Sequence, residues 1–73
     1  NEFILSQSRR FAERIRSEAP ADAASQIDRA WLLAVSRLPD AREKQSALEF
    51  LRTNKLEDLA HVIFNLNEFL YLD

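Results

Sequence analysis

An all-α fold, a compact bundle of about four short helices, is the expectation from this sequence, and three observations lead to it. Glycine is absent and proline occurs only at Pro20 and Pro39, so the punctuation that tight β-hairpins need is missing. Between the prolines lie runs rich in Ala, Leu, Glu, Gln and Arg, all good helix formers. Apolar residues recur with a helical period in each run, in a chain that is 47% hydrophobic and 30% charged, which is the composition of a packed globule rather than of a disordered tail. With 73 residues there is room for one core, so residues 1–73 read as a single helical domain.

The first helix is expected over about Glu2 to Glu18. Ile4, Leu5, Ser8, Phe11, Ala12, Ile15 and Ala19 fall within one arc at about 100° per residue, the signature of a face turned to a core. Arg9, Arg10, Glu13, Arg14, Arg16 and Glu18 occupy the opposite face. Arg9 with Glu13, and Arg14 with Glu18, have the i, i+4 spacing of surface ion pairs worth only a few tenths of a kcal/mol, so this face reads as solvated.

Pro20 ends that helix, and Asp22 is a suitable N-cap for a second from about Ala23 to Leu38. Ile27, Ala30, Trp31, Ala34, Val35 and Leu38 make its main stripe, on which Trp31 reads as core. Leu32 and Leu33 lie away from that stripe, and a helix apolar on two sides is central or has a partner. Asp40, Ala41, Arg42 and Glu43 form a capping box that opens a third helix reaching about Arg52. That helix should bury Ala41, Leu48 and Leu51, with Ala47 and Phe50 extending the face; Phe3, Phe11, Phe50 and Phe64 all read as core filling.

Asn54 with Glu57 repeats the capping-box spacing and starts a fourth helix, with Leu56, Leu59, Ala60, Ile63 and Leu66 as its stripe. Asn65 and Asn67 have low helix propensity, so a fray or kink is expected there before a short final turn. The tail Phe69, Leu70, Tyr71 and Leu72 is too apolar to be left in water. Leu32, Leu33, Phe69 and Tyr71 are therefore the candidate interaction surface.

The chemistry available is narrow. Without cysteine there can be no disulfide, thiolate metal site, Cys nucleophile or C-x-x-C-H haem attachment. Without glycine there is no phosphate-cradling loop and no dinucleotide fingerprint. The net charge of −2 lacks the basic surface of a nucleic-acid binder, so no nucleic-acid partner is expected, although Arg9, Arg10, Arg14 and Arg16 are the residues such binding would use. No apolar run approaches the roughly 18 residues of a membrane span, and no basic segment leads into an apolar one as in an export signal. His61, the only histidine, falls on the wheel with Glu57, Asp58 and Asn65, away from Leu59 and Ile63, and reads as solvent-exposed. It has neither the further converging ligands a metal needs nor a serine on a nucleophile elbow. No catalytic, cofactor or metal residue is assigned, and this chain alone is not expected to be an enzyme. The alternative is an accessory ligand-binding part, in which Arg10, Arg14 and neighbouring carboxylates line a groove for a carbohydrate or anion.

The segment from Gln26 to Asp40, with Glu43 and Ala47 to Leu51, contains an Ile-x-Arg-Ala-aromatic run, a Leu-Ala pair, Arg-x-Pro and Phe-Leu. The closing segment from Leu56 to Asp73 carries Asn65, Asn67, Glu68, Phe69, Leu70 and Tyr71 in an Asn-x-Asn-Glu-Phe-Leu-Tyr ending. Together they resemble the C-terminal domain, of unknown function, of the large planctomycete-specific proteins associated with cytochrome c domains, and residues 1–15 fit the helix ahead of the first motif. The resemblance implies the C-terminal module of a larger exported, periplasmic or cell-surface protein. Haem would belong to a separate N-terminal module, and a link to polysaccharide breakdown comes with no catalytic residue to carry over. The partner it implies is the remainder of such a protein, or a second copy by self-association.

Overall fold

The computed structural model describes the backbone of residues 2–72 and the side chains of residues 2–65. Four helices follow one another in the described chain: α1 (Glu2–Glu18), α2 (Ala23–Val35), α3 (Ala41–Phe50) and α4 (Leu56–Leu72), with no strand among the described residues. The expected all-α bundle is therefore what the chain forms. Its radius of gyration is 11.5 Å, close to the roughly 11 Å of a well-packed chain of this length.

Helix starts follow the predicted caps. The Asp22 carboxylate accepts the Ser25 N–H at 2.8 Å from an extended backbone, satisfying one of the donors a helix N-terminus leaves open. At α3 the capping box is complete: Asp40 Oδ1 accepts the Glu43 N–H at 2.8 Å, and Glu43 Oε1 accepts the Asp40 N–H at 2.9 Å. The start of α4 differs from expectation by one residue. Asn54 turns its amide back to donate to the Phe50 carbonyl, so it closes α3. Lys55 takes the cap position, its N–H donating to Asp58 Oδ2 at 2.9 Å. This shift leaves the Glu57 carboxylate free for another partner.

Helix ends depart further. The second helix was expected to reach Leu38 but stops at Val35, because Ser36 adopts a left-handed conformation, φ 62° and ψ 27°, and donates its N–H to the Leu32 carbonyl at 3.1 Å. Leu38 therefore leaves the stripe and is 57% exposed. In the opposite direction, α4 continues through Asn65 and Asn67 to Leu72 without the expected interruption. Two asparagines cost a helix about 1 kcal/mol together, too little to break one otherwise built of good formers.

The main packing is α1 on α4 and α2 on α3, with α2 also touching α1 and α4. Ala12 and Ile15 of α1, Ile27, Ala30 and Trp31 of α2, Ala47 of α3, and Leu56, Leu59 and Ile63 of α4 form one buried cluster. Small residues at Ala12, Ala30, Ala47 and Ala60, all buried, allow the helix axes to approach closely. Phe11 and Phe64 meet across α1 and α4 with ring centroids 5.2 Å apart, tilted at 40°, a favoured aromatic geometry. Besides Leu38, further residues expected to face the core are exposed, Leu5 among them at 52%. Phe3, in the first turn of α1, is 70% exposed, and Ala41, at the first position of α3, is exposed because a helix start faces outward there.

Ion pairs tie the helices together at their rims. Arg16 grips both Glu57 oxygens at 2.8 Å, joining α1 to α4. Glu18 accepts from Arg14 at 2.8 Å and from Arg29 of α2 at 2.7 Å. Lys44 of α3 reaches Asp28 of α2 at 2.6 Å, and Arg37 grips Glu43 at 2.8 and 2.9 Å. Each pair is partly exposed and contributes modestly by itself.

Candidate functional site

Of the candidate interaction residues, Leu32 is 40% exposed, whereas Leu33 is partly buried against the core cluster. The wheel explains the division. At about 100° per residue the two leucines flank the Ala30–Trp31–Ala34 stripe on opposite edges, and only the edge bearing Leu33 is covered by a neighbour. The Phe69 and Tyr71 side chains lie outside the described residues. Other large apolar side chains are more exposed than Leu32: Phe3 at 70%, Leu5 at 52% and Leu38 at 57%. Sequence reasoning placed Leu5 and Leu38 on buried stripes. It missed their exposure because helix periodicity cannot say where a face runs past the end of its partner.

The arginine face of α1 does not assemble as an anion groove. Arg14 is committed to Glu18 and Arg16 to Glu57. Arg9 and Glu13 make no ion pair among the described residues, despite their spacing. The guanidinium of Arg16 holds the Glu57 carboxyl down to about 2, and that of Arg37, with the Asp40 N–H, holds Glu43 down to about 2. Glu18 is likewise lowered by Arg14 and Arg29, and Asp22 by the Ser25 N–H. These are carboxylates fixed in charge by structural partners, and none has the raised value of a general acid.

The arrangement that sequence reasoning missed lies between α1 and the start of α4. Leu5, Ser8 and Arg9 face Lys55, Glu57, Asp58 and His61 around a recess of about 290 Å³. His61 is half-buried rather than solvent-exposed as expected, because the N-terminal part of α1 runs alongside it. Ser8 is 2% exposed, and its Oγ has no hydrogen-bond partner among the described residues. The one sequence signal was Ser8 itself, a polar residue inside the apolar arc of the first helix.

No group of three or more His, Asp or Glu side chains among the described residues is placed to hold a metal ion, and no described helix is long and apolar enough to cross a membrane. Fold and surface define the chain as a small all-α bundle with rim ion pairs and several exposed apolar side chains. Comparison with protein-family models, with curated proteins and with solved structures gave no match.

Proposed function

We propose that this chain is a structural or protein-interaction module that works by docking. The observation that supports this reading is the exposure of Phe3, Leu5, Leu32 and Leu38 on α1 and at the end of α2. An isolated surface leucine is ordinary, but an aromatic side chain left mostly in water at the start of a helix, with exposed Leu5 two residues on, forfeits burial worth about 1.5–3 kcal/mol per residue. A docking partner recovers that burial. The resemblance described above extends the proposal: the partner is the remainder of a larger exported, planctomycete-type protein of which this is the C-terminal module, or a second copy of the chain. The alternative groove built on Arg10 and Arg14 has less support, because Arg14 is already paired.

An amide-resolved NMR dilution series tests where docking occurs. A self-docking surface gives concentration-dependent shifts grouped at Phe3–Leu5 and Leu32–Leu38. Shifts scattered over the whole chain, or none, refute these residues as a self-docking surface.

A further inference from the structure

The recess between α1 and α4 carries an inference that goes beyond docking and does not depend on it. Ser8 is the one buried polar side chain among the described residues, and its hydroxyl has no partner there. An unsatisfied buried hydroxyl costs about 1–3 kcal/mol, so alanine would serve better if the position were only for packing. Ser8 is among the residues that line the recess, and a serine hydroxyl can donate one hydrogen bond and accept others.

The charges around it are not equivalent. Glu57 is neutralised by both nitrogens of Arg16, whereas Asp58, one of whose oxygens accepts the Lys55 backbone N–H, keeps its negative charge on the recess. The Arg9 guanidinium and the Lys55 ammonium have no carboxylate partner among the described residues. Their two charges, with the positive end of the α4 dipole, outweigh the single unpaired carboxylate of Asp58 on the recess. His61, from the next turn of α4, also lines the recess. A recess of about 290 Å³ is at the lower end of ligand-pocket volumes, which suits a small group and not a saccharide chain.

We infer that the Ser8–Arg9–Lys55–His61 recess is a binding site for a small oxyanion, in which the Ser8 hydroxyl donates to an anion oxygen and Arg9 and Lys55 supply the countercharge. The oxyanion is a phosphate group, whose several oxygens can meet donors from both helices at once. Free phosphate and a phosphoryl group on a larger molecule share this chemistry.

Calorimetric titration of the whole chain with inorganic phosphate at constant ionic strength, with chloride as the comparison, tests the site; a phosphomonoester such as glycerol phosphate follows. Saturable phosphate binding that chloride does not reproduce is expected, and tighter binding of the monoester would identify a phosphoryl group on a larger molecule as the ligand. Ser8→Ala should keep its helical circular dichroism and weaken binding about tenfold, the equivalent of one hydrogen bond to a charged group. Arg9→Gln, on the exposed face and outside the core, should weaken it similarly and serves if Ser8→Ala does not fold. Equal heats from phosphate and chloride, or undiminished binding by folded Ser8→Ala or by Arg9→Gln, would overturn the inference. In that event Ser8 is a packing residue alone.

Discussion

Ser36 shows how much a single residue decides. It ends α2 in the left-handed region, φ 62°, which a side chain with a Cβ occupies at a cost of about 1–2 kcal/mol and glycine occupies freely. Ser36→Gly is therefore expected to stabilise the domain by about 1 kcal/mol, raising Tm by roughly 4–8 °C for a chain of this size. A lower Tm would show that the hydroxyl contributes more than the conformation costs. Glu57 is the second such residue. Its carboxyl lies at about 2 in the folded protein against an ordinary 4.5, chiefly through the hydrogen bonds from Arg16. Because the folded value is the lower one, the unfolded chain binds the proton more tightly. The stabilisation is fully present above about pH 4.5 and is lost as pH falls towards 2. Glu43 behaves in the same way through Arg37. Glu57→Gln should accordingly flatten the acid limb of a stability–pH curve between pH 4.5 and 2 while leaving Glu43's share; an unchanged limb would mean that the Arg16–Glu57 pair does not persist in solution.

At the scale of the helix, starts were more legible than ends. Asp22 and Asp40 announce themselves because a carboxylate three residues before a bare backbone N–H has a specific job, and both do it in the structure. Ends were legible only where proline marked them: α1 stops at Glu18 ahead of Pro20 as expected, but at α2, with no glycine in the sequence, the left-handed cap fell to Ser36 and the helix stops three residues short of the expected end. The start of α4 moved by one residue because Asn54 had two uses, and closing α3 won over opening α4. Faces were legible only as far as a wheel goes. Leu32 and Leu33 look alike on it, yet one is exposed and the other packs on the core. Leu33→Asp should therefore cost about 2–4 kcal/mol in stability, by burying a charge against apolar neighbours, while Leu32→Asp should cost about 1 kcal/mol or less. Urea unfolding of both variants checks this, and equal losses would contradict the placement of Leu33.

Across the whole molecule, the α1–α4 recess was invisible in the sequence because its residues come from opposite ends of the chain. Ser8 stood out only as a polar residue in an apolar arc, and His61 was read by its own helix alone. What placed them together is the packing of α1 on α4, fixed at one point by Arg16 on Glu57 and at another by Phe11 on Phe64. The same packing leaves Phe3 and Leu5 at the uncovered beginning of α1. A domain this small has a narrow stability margin from its own core, so recovering burial at its surface is a plain physical reason for it to associate.

Sedimentation equilibrium over a wide concentration range, on the wild-type chain and on a Phe3→Asp, Leu32→Asp double variant, tests the docking account most directly. With a second copy of the chain as the partner, the account predicts that the wild type gains mass with concentration and that the double variant stays monomeric with its helical circular dichroism intact. A wild type that remains monomeric at every concentration, or a double variant that associates equally well, would contradict it.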